Sequence, residues 1–157
     1  MPSLKLEIQQ SPPFSSPEEE ALLNLLRTSD CLQRALQRKI RPWGLTGTQY
    51  NVLRILRGAH PEGLPCAAIG DRMIASEPDI TRLLARLRRL KLIRQHRDRR
   101  DRRVVLTQIT ESGLELLQTM DPAVRSAPKE LLGHIPGSGL AELIRLLELA
   151  RYPCADK

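Results

Sequence analysis

The residues best equipped for chemistry in this sequence are arginines, and they are concentrated in one place. Between Arg82 and Arg103 stand eleven lysines and arginines, opposed only by Asp98 and Asp101, so the segment carries +9 in a chain whose total is +7. The remainder of the chain is therefore slightly acidic, and the positive charge is local. A block of one sign this dense is an electrostatic footprint for a polyanion. A face that serves solubility alone mixes both signs. Arginine also offers more than charge, because its planar guanidinium can bond guanine O6 and N7 together in a major groove and can grip phosphate elsewhere.

The block divides into two devices. Ser76-Glu77-Pro78-Asp79 reads as a helix start, with Ser76 as cap, Pro78 in the first turn and Asp79 closing a capping box. Ile80, Leu83, Leu84, Leu87 and Leu90 then form a buried stripe. The opposite face presents Pro78, Asp79, Thr81, Arg82, Ala85, Arg86 and Arg89. Hydroxyl, small apolar and guanidinium groups on one helix face suit a major groove: Arg82 and Arg86 can read guanine, and Thr81 or Ala85 can touch a thymine methyl. Beyond this helix, Leu92–His96 and Val104–Ile109 read as strands, and between them lies RDRRDRR, Arg97 to Arg103. That pattern predicts a β-wing whose tip arginines enter a narrow minor groove. Asp98 and Asp101 oppose a polyanion, so their use is to pair with neighbouring arginines and set the turn.

The elements that must position these devices are mostly helical. With 157 residues, 41% of them apolar and only 3% aromatic, the chain is one domain with its own core, and its leucine-rich composition favours helix-on-helix packing. Residues 1–15 contain Pro2, Pro12 and Pro13 and show no helical period, so they read as a flexible extended arm ahead of a single domain over 16–157. Ser16-Pro17-Glu18-Glu19 opens a long helix to Ile40, stopped by Arg41-Pro42, with Leu22, Leu25, Leu26, Leu32 and Leu36 on one stripe. Its length predicts that it projects to meet a partner. Thr46-Gly47-Thr48-Gln49 is a second capping box, and its helix runs to about Ala59 before His60-Pro61-Glu62-Gly63 breaks it. A short helix from about Pro65 to Met73 completes a helix-turn-helix with the Ser76 helix. After the wing, Thr110-Glu111-Ser112-Gly113 opens a helix that Pro122 and Pro128 kink or interrupt. A helical segment follows over Ala127–Gly133, and a last helix over about Gly139–Arg151 carries Leu140, Leu143, Ile144, Leu147 and Ala150.

Other functions find little support. Cys31, Cys66 and Cys154 are odd in number and far apart, without a CxxC pair, which argues for free thiols and against a zinc site or a disulfide framework. His60, His96 and His134 are scattered, and neither a phosphate-cradling glycine loop nor a nucleophile–base spacing occurs, so no enzyme, cofactor or metal is expected. No apolar run approaches the ~20 residues of a membrane span, and the first residues lack a signal-peptide core, so a cytoplasmic protein is expected. The scarcity of aromatics argues against stacking on single-stranded RNA.

The order of long helix, helix-turn-helix, wing and two further helices resembles the MarR family of bacterial transcription regulators. Leu45-Thr46-x-x-Gln49-Tyr50-x-Val52-Leu53-Arg54 resembles the opening of the family's second helix. Asp79-Ile80-Thr81-Arg82-Leu83 through Leu87 resembles its recognition helix. Asp98-x-x-Asp101-Arg102-Arg103 matches its wing, with Ile109-Thr110-x-x-Gly113 after it. Leu131-Leu132-Gly133-His134 and Ala141-Glu142-Leu143-Ile144-x-Leu146-Leu147 resemble its last helices.

The likeness spans about Glu18 to Arg151. It implies a mainly α fold with a small β-wing: a winged helix-turn-helix over 45–110, flanked by dimerisation helices over 16–42 and 111–151. It also implies a homodimeric repressor that binds an inverted repeat in double-stranded DNA and is released by a small anionic aromatic effector. Residues matching Ser76, Thr81, Arg82 and Arg86 touch DNA in the family, as does the wing arginine that falls on Arg103, with Asp101 as its organiser. The expected DNA-binding set is therefore Ser76, Pro78, Asp79, Thr81, Arg82, Arg86, Arg99, Arg100, Asp101, Arg102 and Arg103. Trp43, His60 and the Arg41 region border the family's effector position, but no ligand residue is assigned. Two departures stand out: Pro65-Cys66 occupies a helix start that often holds Ser or Thr, and Leu22-Leu23 occupies the place of the reactive cysteine of peroxide-sensing members. The competing reading is a nucleic-acid-binding protein without sequence preference, architectural or RNA-binding, using the same basic surface.

Overall fold

In the computed structural model, which describes residues 3–154, the chain is mainly helical with one small sheet. The elements in order are α1 (Leu4–Glu7), α2 (Pro17–Ile40), α3 (Gly47–Gly58), β1 (Leu64–Pro65), α4 (Cys66–Gly70), α5 (Ile80–Arg89), β2 (Ile93–Arg97), β3 (Val105–Ile109), α6 (Glu111–Leu132) and α7 (Gly137–Arg151). The capping chemistry sets most of these starts. Ser16 Oγ accepts from Glu19 N at 3.2 Å at the head of α2, while Glu19 reaches past the cap to Ser15 N at 2.6 Å. At α3 the box is reciprocal: Thr46 Oγ1 accepts from Gln49 N at 3.2 Å, and Gln49 Oε1 accepts from Thr46 N at 2.9 Å. Gln49 is almost fully buried, and this reciprocal pairing satisfies it.

The core lies beneath the helix-turn-helix. Val52, Leu53 and Leu56 of α3, Ile69 of α4, Leu84 and Leu87 of α5, Ile93 of β2, Ile109 of β3, and Leu117 and Met120 of α6 meet there in one cluster. The sheet has the order β1-β3-β2, all antiparallel, with Ile93 opposite Ile109, Gln95 opposite Thr107 and Leu64 opposite Thr107. The register puts Ile93, Thr107 and Ile109 on the face against the core, all of them buried. At the end of β3 the Ile109-Thr110-x-x-Gly113 motif has a mechanical explanation. Thr110 caps α6, and its Oγ1 also donates to Lys91 O at 2.7 Å, joining α6 to the α5–β2 turn. A Cβ on Gly113 would stand 2.4 Å from Leu92 O and 2.6 Å from Ile109 Cγ1, so only glycine allows this approach.

Four expectations need correction. The arm over 1–15 is not extended throughout: Leu4–Glu7 forms a helical turn, Leu4 is buried, and Glu7 pairs with Arg27 at 3.6 Å. Its first two residues, like 155–157 at the other end, lie outside the described residues. Pro122 and Pro128 do not interrupt α6, which is one helix through both. Contacts brace it around each proline: Asp121 accepts from Arg57 at 3.0 Å and Arg125 at 3.0 Å, Glu130 from Lys39 at 2.5 Å, and Met120 and Ala127 are fully buried. Tertiary packing here outweighs the local cost of a missing N–H. The Pro65 helix is shorter than expected, because Pro65 pairs in β1 and α4 ends at Gly70. Finally, Ser76 does not cap α5. That role belongs to Asp79, whose Oδ1 accepts from Arg82 N at 2.9 Å, and Leu90 lies beyond the helix, half exposed.

Candidate nucleic-acid interface

The candidate reading face is built by α5 and the loop before it. Leu84 and Leu87 anchor the helix in the core, and Ile80 and Leu83 are half-buried beside them. That orientation leaves Thr81, Arg82, Ala85, Arg86 and Arg89 exposed. Ser76 and Pro78 stand in the loop ahead of the cap, also exposed. The loop itself is held from α3, where Asn51 Oδ1 accepts from Ile74 N at 3.0 Å. An open depression of about 450 Å³ lies across this face, lined by Thr46, Thr48, Gln49, Glu77, Asp79, Arg82, Leu83, Arg86 and Arg89. It brings Asp79, Arg82 and Arg86 together, while Ser76, Pro78 and Thr81 lie outside its lining. With its carboxylate committed to the helix cap, Asp79 has a structural task in addition to any contact with a ligand.

The wing is a second and separately built site. β2 and β3 form the hairpin, and residues 98–104 make its tip. Asp98 N donates to Val104 O at 2.9 Å and Val104 N to Asp101 O at 3.0 Å, closing the turn. Each tip aspartate then fixes a following arginine's backbone: Asp98 Oδ1 accepts from Arg100 N at 2.7 Å and Asp101 Oδ1 from Arg103 N at 3.0 Å. Arg103 Nε also donates to Asp101 Oδ1 at 3.2 Å, while its side chain stays 93% exposed. The Arg103 backbone amide, and then its side chain, hold the Asp101 carboxyl below the usual aspartate range. Arg99, Arg100 and Arg102 are exposed at the same tip. Arg97, also exposed, lies back along the hairpin and donates to Arg102 O at 2.6 Å.

Three contributors escaped the sequence reading. Thr48, at the start of α3, lines the depression because the capping box aims that helix end at α5. The box was legible, but its direction in space was not. Glu77 stands among the arginines of the same face. Arg88, which belongs to neither the buried stripe nor the reading face, ties α5 to the wing: its Nη1 donates to Gln95 Oε1 at 3.3 Å, and Gln95 Nε2 donates to Thr107 Oγ1 at 3.2 Å. Trp43 packs against the core at the α2–α3 junction, and His60 is exposed in the turn after α3.

Comparisons with known proteins agree with this architecture. A model of the MarR family matches residues 43–104. A MarR transcription factor from Planctomyces limnophilus is 41% identical, with a TM-score of 0.66 over 87% of this chain and 99% of that one. A MarR mutant from E. coli complexed with operator DNA is 21% identical, with a TM-score of 0.73, covering 94% and 97% of the two chains. BpsR from Bordetella bronchiseptica, whose DNA binding is regulated by 6-hydroxynicotinic acid, is 23% identical, with a TM-score of 0.73 over 84% and 98%. No curated protein sequence matches the chain at comparable significance.

Proposed function

We propose that this chain, which belongs to the MarR family of transcription regulators, is a cytoplasmic homodimeric repressor that reads an inverted-repeat operator in double-stranded DNA. The observation that carries the reading is the pairing of two exposed arginine surfaces on one lobe: α5, oriented by its buried leucines, and a wing tip shaped by Asp98 and Asp101. α5 enters the major groove with Arg82 and Arg86 at base edges, and Thr81 and Ser76 beside them. Arg99, Arg100, Arg102 and Arg103 grip the backbone and the flanking minor groove.

Support for the dimer comes from the helices outside the lobe over 45–110. Leu22, Leu25 and Leu26 of α2 and Ile144, Leu146 and Leu149 of α7 are exposed in the single chain, and no residue of α7 is buried. A helix of that composition needs a second copy to cover it. The segments 16–42 and 111–151 are therefore the dimerisation frame, and twofold symmetry places the two recognition helices roughly 34–36 Å apart. Release by a small anionic aromatic effector is part of the proposal. It rests on the regulated relative from Bordetella and on the ties that carry α2 and α6 into the lobe, Gln37 to Leu45 O and Gly47 N, and Arg57 to Asp121.

Selection of bound fragments from random duplex DNA tests the proposal. A palindromic consensus is expected, with log K falling by about 0.9 per log salt for each phosphate neutralised. Binding without any consensus would favour a non-specific nucleic-acid-binding protein. Arg103→Ala is expected to weaken operator binding about tenfold, ~1.4 kcal/mol, with the fold intact. Undiminished affinity in that variant at physiological salt would remove the wing from the interface.

A further inference from the structure

Of the two acidic residues in the reading face, Glu77 has no evident work there. Glu77 stands two residues ahead of the α5 cap, at the end of a recognition helix that contacts base edges. It lines the same depression as Arg82, Arg86 and Arg89, yet it forms no ion pair with any described residue. It does not cap the helix either, since that task falls to Asp79. A carboxylate on this face is repelled by every phosphate that the arginines attract, so it does not serve affinity for the backbone. In a major groove, however, it is the natural acceptor for an exocyclic amino group. Of the two bases with such a group, adenine places the N7 acceptor beside it, which repels a carboxylate, whereas cytosine N4 has only a C–H neighbour on that side.

We infer that Glu77 is a specificity determinant, accepting a hydrogen bond from N4 of one cytosine in each half-site. The inference rests on the operator-binding reading above. Glu77 thus excludes thymine at that base, where O4 presents another acceptor to its charge. It also lowers affinity for unrelated DNA, so that the same side chain widens the gap between operator and bulk sequence.

The test compares fragment selection and duplex affinity for the parent protein, Glu77→Ala and Glu77→Gln. The parent is expected to require cytosine at one position per half-site, and replacing it by thymine to weaken binding about tenfold. Glu77→Ala should become indifferent at that position alone while binding unrelated duplex more tightly, and Glu77→Gln should fall between the two. If Glu77→Ala keeps the parental consensus at every position and merely tightens uniformly, Glu77 is only a partner of the helix dipole and the inference is overturned. It is also overturned if the relaxed position is adenine. A parent that selects no consensus fails the operator reading itself, and the inference with it.

Discussion

Helix α5 and the wing tip present the same residue, arginine, on supports of opposite kind. α5 is held from below: Leu84 is 2% exposed and Leu87 not at all, and both belong to the central cluster. The tip over 98–104 is held from within, by the turn hydrogen bonds and the two aspartate acceptors. The positions of Arg82 and Arg86 are therefore coupled to the stability of the whole lobe, because moving them means moving core leucines. The position of Arg103 depends on a local turn that can fail while the lobe stays folded. Two cationic surfaces can thus serve one ligand with different mechanical demands: a stiff reader and an adjustable clamp.

The largest expected effect breaks the reader through its support. Leu87→Ala should cost ~2–5 kcal/mol of stability, read as a fall in the denaturant midpoint, because the cavity opens where α5 meets α4 and the sheet. Operator binding should fall with the folded fraction. A cost under ~1 kcal/mol would mean that α5 is not anchored as described.

Asp101→Ala probes the clamp and should behave in the opposite way. The denaturant midpoint should stay close to the parent's, as for other exposed sites. Operator affinity should fall several-fold even though the variant is one unit more positive. A gain in affinity would mean that charge, not turn geometry, limits the wing. The pH dependence has a definite sign. Since the folded state holds the Asp101 carboxyl below its usual range, its stabilising contribution is present at neutral pH and is lost only as pH falls through that depressed value. Titration of Asp101 therefore leaves binding flat across neutral pH.

The smallest effect sharpens the end of the reader that joins the wing. Lys91 closes α5 with φ at 59°, a left-handed conformation that favours glycine. Lys91→Gly should stabilise the fold by ~0.5–1 kcal/mol, visible as a rise in Tm of a few degrees. It should leave the operator consensus unchanged, because the side chain lies outside the reading face. A change in the consensus would place Lys91 in the interface.

Much of this was legible in residues whose chemistry is local. The Thr46–Gln49 box and the Ser16 cap specify their helix starts by hydrogen bonds within four residues of chain, and the RDRRDRR run announces its turn by alternating charge. The Ser76 box was equally plausible on local grounds and did not form. Ser76 and Asp79 are both good caps, and the choice between them depends on where Ile80, Leu84 and Leu87 must sit to meet α4 and the sheet. β1 was invisible, because two residues carry no period, and Leu64-Pro65 becomes a strand only when β3 arrives beside it.

The sequence by itself determined the inventory: the local positive charge, the helix-turn-helix order, the arginine turn and the glycine of the Ile109-Thr110-x-x-Gly113 motif. These follow from spacing and from bonding between near neighbours. Only the tertiary structure decided that α6 continues through Pro122 and Pro128, that Asp79 caps α5, and that Thr48 and Glu77 share a depression with Arg82. Each of those outcomes is set by groups distant in the chain, Arg57 on Asp121, Lys39 on Glu130 and the core beneath α5, whose combined packing outweighs what any local stretch prefers.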